Sequence, residues 1–337
     1  MKRGLLGALA ISALLAGLTA CRHETPSPQT RALTVLKMNL NPNLGYAPLV
    51  VASEEGYFAA EGIRVDFVPL DVNSALLALT TGKVDVLSTP VRSGLFNLMA
   101  RGVPMQIVAD RGHAEPGRCS AEAFAATPET ADRITRRKSF KGERFAIIRG
   151  GITEYLIDRL LAHEHLTQND VEFAQLPQGP GGNTEYFRAH NQQIDAIRYT
   201  QEPTLSNNIA SGVSKVVASM EEVAPGVQFG VILFGKRLLH DDPDLGRRFM
   251  RAYLRGARKY NEGKTARNVA IIAGYTKLPP DIIRRACWQP ISNDARVSVP
   301  AMNDFLAWAH KSHYLDADVP TAKWWNPSFI DAATAAR

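Results

Sequence analysis

The feature that most constrains the fold is an alternation of short apolar runs with longer helical segments in residues 33–110. Each apolar run ends in a polar loop that leads into the next helical segment. This order favours parallel pairing of strands, so it predicts an α/β sheet with helices on both faces. Open sheets of this kind bind small molecules at the carboxyl ends of their strands. The predicted elements are a strand at 33–38, a helix beginning near Pro48, a strand at 63–68, a helix at 74–81 and a strand at 84–88.

The same alternation returns in the middle of the chain. The spacing from Leu33 to Asp85 nearly equals the spacing from Arg144 to Asp195, which indicates two similar lobes. The connecting segment 111–141 is predicted to carry the crossing into the second lobe and a surface excursion. The second set of elements is a strand at 144–148, a helix at 153–163, a strand at 171–176, a helix at 184–190 and a strand at 195–198.

Residues 221–228 interrupt this pattern and predict a second crossing between the lobes. Two crossings form a hinge, and hinged lobes close around ligands. The later elements are predicted as strands at 213–217 and 229–234 and helices at 242–261, 265–274, 279–287 and 299–312. The predicted division is a signal at 1–21, a tether at 22–31, a first lobe at 32–112 and 223–337, and a second lobe at 113–222.

The amino terminus has the pattern of an export signal. Lys2 and Arg3 precede an apolar run from Leu5 to Leu18, which is too short for a confident membrane span. The sequence LTAC that ends at Cys21 resembles the lipobox of bacterial lipoproteins, which implies cleavage before Cys21 and lipidation of its thiol. The expected location is the periplasm or the cell surface, anchored to a membrane. An ordinary secretory signal with a chance cysteine is the alternative.

Charge and cysteine content restrict the function further. The formal net charge is +6, and the basic cluster Arg136–Lys138 has no interleaved aromatic residues. This pattern favours a solvated face over a nucleic-acid surface. Export permits a disulfide between Cys119 and Cys287, but one distant pair is weak evidence, and two separately packed thiols are favoured over the bridge.

Four segments carry a resemblance to a known family. They are NLGYAPLVVASEEGYFAAEGIRVDFVPL, GKVDVLSTP, KGERFAIIRGGITEYLIDRLL and QIDAIRYTQEP. The chain resembles the solute-binding subunits of ABC importers in the nitrate, sulfonate, taurine and thiamin-pyrimidine-precursor group. The resemblance implies a type II periplasmic-binding-protein fold with two Rossmann-like lobes that hold a small solute in a cleft. It also implies an ABC permease and ATPase complex as partners. The protein is expected to be a monomer without a cofactor, and no nucleic-acid partner is expected.

Residues at the ends of predicted strands are the candidate ligand contacts. Gly150 and Gly151 are the best single candidate, because glycines before a helix permit close approach to its positive amino terminus. Alternatives are a tight turn at Asn43, helix capping by hydroxyl residues, and hinge packing near residue 228. The full set is Asn41, Asn43, Tyr46, Ser88, Thr89, Arg92, Arg149, Gly150, Gly151, Thr153, Arg198, Tyr199 and Gln228.

Three of these residues favour an anionic solute such as a sulfonate or carboxylate. Arg92, Arg149 and Arg198 lie at strand ends, and guanidinium groups match oxyanions. Tyr46 and Tyr199 could instead stack on a neutral heterocycle, such as a pyrimidine, a thiamin precursor or a flavin. A ligand-sensing lipoprotein would have the same cleft as an importer subunit.

Enzyme motifs are missing from the sequence. GxSxG, HExxH and CxxC do not occur, and there is no cysteine-rich segment of the kind that pyrimidine-forming relatives use with iron. A binding protein without catalytic residues or metal is therefore expected. The pairs His163 with His165 and His310 with His313 are predicted to lie at the surface. Trp324 and Trp325 are predicted to anchor the carboxyl-terminal segment on the first lobe.

Overall fold

The structure is a computed structural model, and it describes residues 32–119, 121–175 and 196–335. The described residues form the strands β1 (Thr34–Asn39), β2 (Ile63–Val68), β3 (Val86–Pro90), β4 (Gln106–His113), β5 (Glu122–Ala126), β6 (Arg144–Ile147), β7 (Glu172–Gln175), β8 (Arg198–Gln201), β9 (Lys215–Ser219) and β10 (Gln228–Phe234). Their longer helices are α1 (Ala47–Glu54), α2 (Tyr57–Ala60), α3 (Val72–Thr80), α4 (Ser93–Ala100), α5 (Pro128–Arg137), α6 (Ile152–His163), α7 (Thr204–Ala210), α8 (Met220–Val223), α9 (Pro243–Asn261), α10 (Ala266–Thr276), α11 (Pro280–Arg285), α12 (Val299–Lys311), α13 (Thr321–Trp324) and α14 (Ser328–Ala335).

The first lobe is built on a five-stranded sheet with the order β2-β1-β3-β10-β4. Strand β1 pairs in parallel with β2 and β3, whereas β10 is antiparallel to both of its neighbours. Four strands therefore run in one direction, and the carboxyl ends of β1, β3 and β4 lie at the same edge. The strand and helix order predicted for residues 33–88 is confirmed, including the span 63–68 of β2.

The second lobe repeats this arrangement. Strand β6 pairs in parallel with β7, and a parallel bridge joins Phe145 of β6 to Ile197 just before β8. Strand β5 is antiparallel to both β8 and β9. The resulting order, β7-β6-β8-β5-β9, again contains a single reversed strand. The mainly parallel α/β architecture with two crossings is thus confirmed, since the chain passes between the sheets after β4 and again after β9.

The prediction for segment 111–141 is incomplete. The segment carries the crossing and exposes residues 115–119, but it also holds the strand β5, whose five residues are all buried, and the helix α5. The sequence of β5 is EAFAA, which lacks the β-branched residues that usually reveal a strand. The predicted helix at 184–190 lies outside the described residues.

The segment after β10 contacts both lobes. Helix α9 crosses α1 closely at Gly256, where an added Cβ would lie 2.4 Å from the backbone oxygen of Pro48. Trp324 is fully buried against Phe96 of α4, which confirms the predicted aromatic anchor. Helix α12 instead reaches α6 of the second lobe, where the Trp308 indole donates to Asp158 at 2.8 Å.

Cys119 and Cys287 form a disulfide, with Cα atoms 5.7 Å apart across a sequence separation of 168 residues. The preference for two separate thiols is therefore wrong. The two cysteines are far apart in the sequence, but the loop after α11 returns to the first crossing in the fold. There the His113 N–H donates to the Pro290 carbonyl. Closing a loop of this length stabilises a fold by about 3–5 kcal/mol in the chain-entropy account.

Two further observations concern the part of the chain that the structure describes. None of its helices combines the length and the apolar character required to cross a bilayer. Its His, Cys, Asp and Glu side chains do not form a group of three or more that would suit a metal ion. The four histidines predicted at the surface are exposed.

Candidate functional site

A buried polar cluster lies at the carboxyl ends of β1 and β3. Tyr46 is 1% exposed, and its hydroxyl donates to the Ser88 carbonyl at 2.7 Å while it accepts from Asn39 Nδ2 at 2.7 Å. Asn43 begins the short helical turn that carries Tyr46, because its Oδ1 accepts the Gly45 N–H at 3.1 Å. These contacts fix the Tyr46 ring at the end of the sheet.

Arg111, near the end of β4, completes this cluster. Its guanidinium is 1% exposed, lies 4.9 Å from the centre of the Tyr46 ring, and donates through Nη2 to Asn43 Oδ1 at 3.0 Å. Its Nε and Nη1 atoms are buried and have no hydrogen-bond partner among the described residues. Arg111 is not among the predicted contacts, because residue 111 is predicted to begin a connecting segment.

Arg111 places a guanidinium group in this buried cluster. Glu122, which is 1% exposed, accepts from Gln201 Nε2 at 3.0 Å and from Gln289 Nε2 at 2.9 Å. Burial raises the pKa of Glu122 to about 8, against the opposing effect of Arg111 and the two amides. The Glu122 carboxyl is therefore largely protonated at neutral pH and leaves the charge of Arg111 in place.

Gln228 lies next to this cluster and holds the hinge. Its Nε2 donates to Asp110 Oδ1 at 2.6 Å and to the carbonyls of Gly112 and Gly230, each at 2.9 Å. Its Oε1 accepts the Ser298 N–H at 3.0 Å. Both polar ends of the Gln228 amide are therefore hydrogen-bonded within the protein. This arrangement fits the alternative role predicted for residue 228, packing at the hinge.

Asp110 is the centre of the hinge network. Burial acts to raise its pKa, but hydrogen bonds from His113, Ser292 and Gln228 outweigh burial and lower it. The Asp110 carboxylate in turn raises the pKa of His113 against the effect of burial. Asp110 therefore stays charged and fixes the backbone next to Arg111.

The predicted glycine site of the second lobe is occupied by the protein's own groups. The Gly150 N–H donates to Glu154 Oε2 at 2.7 Å, and Ile152 N–H donates to the Val91 carbonyl at 3.0 Å. The Gly150 carbonyl accepts from Ser93 through its N–H and its hydroxyl, both at 2.9 Å. Gly150 and Gly151 thus form a direct contact with the first lobe, and a buried carboxylate holds the Gly150 N–H at the start of α6.

The arginines predicted at strand ends have partners. Arg149 forms an ion pair with Glu154 at 2.7 Å and lies over the Phe173 ring at 4.8 Å. Arg92 donates to Asn73 Oδ1 at 2.6 Å, and burial lowers its pKa against the attraction of Asp71. Arg198 lines a small cavity of about 30 Å³ beside β8.

The structure brings the remaining predicted residues into four places. Asn41 joins the Tyr46 cluster, since its Nδ2 donates to the Tyr46 hydroxyl at 3.2 Å. Ser88 and Thr89 are fully buried at the end of β3, and Thr153 is 7% exposed at the start of α6. Tyr199 packs on Phe124 of β5, with ring centres 6.2 Å apart.

Arg111 could have been found by the rule that selected the other arginines. It follows the apolar run of MQIVAD directly and precedes a glycine, as Arg149 does after FAII. The rule of strand ends includes Arg111 once a strand is assigned to the end of segment 33–110 and the connecting segment begins after residue 111. Its lack of internal partners, however, has no sequence signal.

This fold is shared by periplasmic solute-binding proteins. The ligand-binding component of an ABC-type import system from Staphylococcus aureus, solved with zinc bound, is 15% identical and has a TM-score of 0.75 over 89% of this chain and 99% of that one. The alkanesulfonate-binding protein SsuA from Xanthomonas axonopodis pv. citri, solved with MOPS, is 18% identical and has a TM-score of 0.64 over 88% and 99% of the two chains. The predicted type II periplasmic-binding-protein fold is thereby confirmed.

The family follows from a sequence match. Residues 43–262 match the family model described as NMT1/THI5 like, so the chain belongs to that family. The riboflavin-binding protein RibY from Chloroflexus aurantiacus is 26% identical over 257 residues, which are 71% of this chain and 69% of RibY. The desulfurization enzyme DSZB has the same fold at 16% identity, with a TM-score of 0.60 over 90% of this chain and 99% of DSZB, so the fold alone does not separate binders from enzymes.

Proposed function

We propose that the protein is the solute-binding component of an ABC-type importer and that it closes two lobes around a small organic solute. The observation that carries the proposal is the buried polar cluster of Asn43, Tyr46 and Arg111 at the strand ends of a solute-binding fold. The family match and the import proteins with the same fold support it. Delivery to a permease and ATPase complex, without chemical change of the solute, completes the proposed role.

Export and anchoring belong to the same proposal. Cys21 lies outside the described residues, and its lipidation rests on the LTAC sequence. The proposed protein is a monomer tethered to a membrane in the periplasm or at the cell surface. Lobe boundaries at 32–112 with 223–337 and at 113–222 remain a proposal, as do all thirteen candidate contacts.

The solute class is proposed to be an organic anion. A second class, neutral flavins and related heterocycles, is favoured by one specific observation, the similarity to a riboflavin-binding protein. Arg111 lies over the Tyr46 ring and the residue is only 1% exposed, so stacking of such a ligand on Tyr46 would require this cluster to open.

A thermal-shift screen of the protein without residues 1–21 tests the function. The panel contains sulfonates, aromatic carboxylates, pyrimidines and flavins. A set of sugars serves as the negative control. A solute that binds only the folded state raises the melting temperature by an amount that grows with its concentration. Small-angle scattering of the protein with each stabilising solute then measures lobe closure. Chromatography of the solute recovered from the protein shows whether it has been chemically converted.

The expected result is stabilisation by one chemical class, a smaller radius of gyration and recovery of unchanged solute. Recovery of a converted solute would replace the importer proposal with an enzyme. Absence of stabilisation by every class of the panel would contradict the proposal of a small organic solute of these classes.

A further inference from the structure

We infer that Arg111 is the receptor for an oxyanion of the solute, which makes the solute an organic carboxylate or sulfonate. This inference rests on the proposed function and specifies its ligand. It also moves the anion contact away from the three arginines at 92, 149 and 198 that the sequence favours.

Arg111 holds hydrogen-bond donors that are buried and unused. A guanidinium has five N–H donors and no acceptor. Asn43 receives a hydrogen bond from Nη2, while Nε and Nη1, which carry three of those donors, are buried without a partner among the described residues. Buried charged groups in folded proteins are paired or hydrogen-bonded, because water no longer solvates them. An oxyanion supplies both the missing acceptors and the opposite charge.

Two glycines shape the position of this guanidinium. An added Cβ at Gly45 would lie 2.9 Å from Arg111 Cζ, and one at Gly230 would lie 2.3 Å from Arg111 Nη1. Only residues without a side chain leave room for the group on both sides. The Tyr46 ring and Asn43 Oδ1 fix its remaining surroundings. The chain thus holds Arg111 in one orientation at the strand ends, as a preorganised receptor requires.

The other arginines do not offer comparable donors. Arg149 already has a buried carboxylate, Glu154, and Arg92 donates to the Asn73 amide. Glu154 also accepts the Gly150 N–H, so one internal carboxylate already matches both Arg149 and the start of α6. The hydrogen bond of Arg111 to Asn43 goes to a neutral amide oxygen, so the Nε and Nη1 donors of Arg111 are left for an external anion.

Small anions test the inference independently of the full solute. The melting temperature of the protein without residues 1–21 is measured while sodium methanesulfonate or acetate replaces sodium chloride at constant ionic strength. Dimethyl sulfone and acetamide are the uncharged counterparts. We expect a saturable rise with both anions, little change with the uncharged compounds, and at least a tenfold weaker apparent affinity in Arg111→Gln.

Two variants keep this test interpretable. Arg251→Gln removes an arginine that is held by Glu61 on the outside of the first lobe, and it should keep the anion response. Arg111→Lys keeps the charge and the apolar stem if Arg111→Gln does not fold. We expect Arg111→Lys to retain a weakened response, since an ammonium is a point charge and lacks the planar fork.

Equal anion responses in the wild type and Arg111→Gln would overturn the inference, and so would equal responses to the anions and their uncharged counterparts. The proposed function fails by a different result, because it depends on the solute screen. A neutral solute that closes the lobes of the wild type and of Arg111→Gln with equal affinity would keep the importer role and remove the anion receptor.

Discussion

Two arginines of this chain follow a buried strand run and precede a glycine, yet their surroundings differ. Arg149 of the second lobe is paired with Glu154, whose other oxygen accepts the Gly150 N–H. Arg111 of the first lobe has one hydrogen bond to an amide oxygen and two nitrogens without a partner in the described residues. The same local sequence signal therefore leads to an internal ion pair in one lobe and to a candidate receptor in the other.

The difference comes from the element that follows each arginine. After Arg149 the chain enters α6, and residues four apart lie on one face of a helix, so Glu154 returns to Gly150. Arg111 still belongs to the extended strand β4, where neighbouring residues move away along the sheet. A strand does not return a carboxylate to its own arginine, so the partner of Arg111 must come from elsewhere.

The largest expected effect is a pH dependence of stability at the Arg111 site, where Glu122 is buried. The folded-state pKa of Glu122 is raised to about 8, so its contribution to stability is complete below the ordinary pKa near 4.5 and is lost as pH rises through 8. The unfolding free energy of the wild type should decrease from pH 5 to pH 8, and this decrease should be smaller by about 3 kcal/mol in Glu122→Gln. The magnitude follows from roughly 1.4 kcal/mol per pKa unit. Urea unfolding at a series of pH values measures this slope.

A carboxyl on the surface is the matched control for this measurement. Glu115→Gln removes a half-exposed carboxyl that pairs with Arg118. Its slope should equal that of the wild type. If Glu122→Gln also keeps the wild-type slope, the Glu122 carboxyl is charged beside Arg111 and the positive site is neutralised internally.

The next largest effect concerns space at the two sites. Gly230→Ala places a methyl group 2.3 Å from Arg111 Nη1 and 3.0 Å from the Thr89 carbonyl oxygen. Overpacking of this kind should lower the unfolding free energy by about 2 kcal/mol and weaken the methanesulfonate response. Gly151→Ala is the control in the second lobe, because its nearest atoms lie at 3.8 and 4.0 Å. A normal anion response in Gly230→Ala would argue against a fixed guanidinium.

The smallest expected effect, about 1.5 kcal/mol, comes from Glu154→Gln. The variant loses charged hydrogen bonds to Arg149 and Gly150, and their donors become available to an external anion. Methanesulfonate should therefore stabilise Glu154→Gln more than the wild type. Glu172→Gln is the control, since it breaks an exposed pair with Arg144 that contributes little. Identical anion responses in both variants would show that Glu154 does not block the second site.

Much of the fold could be predicted because its signal is local. The apolar run IRVDFV predicts β2 with its observed bounds, and the long periodic segment near 242–261 predicts α9 within one residue. Strand β5 could not be recognised, because an alanine-rich strand becomes stable only when its neighbours β8 and β9 bury it. The disulfide was equally hidden, since the approach of Cys119 to Cys287 depends on the path of the whole carboxyl-terminal segment.

Some residues of the candidate site could likewise be predicted from the sequence, and others could not. Asn43 and Tyr46 could be selected because they follow the first strand directly, whereas Arg111 required the correct end of β4. The roles within the predicted set were not readable in the sequence, as Gln228 and Gly150 show. The Gln228 amide donates to Asp110, and the Gly150 carbonyl accepts from Ser93, and both partners are far away in the chain.

By itself, the sequence determined the alternation of strands and helices, the repeated lobe plan and the family, because each depends on residues that are near one another in the chain. Only the tertiary structure decided which polar groups are already satisfied and which are buried with donors to spare. The reason is that a hydrogen-bond partner is chosen by distance in space. Arg149 has a carboxylate partner, whereas Arg111 Nε has no hydrogen-bond partner among the described residues, and this difference arises only after the lobes have folded.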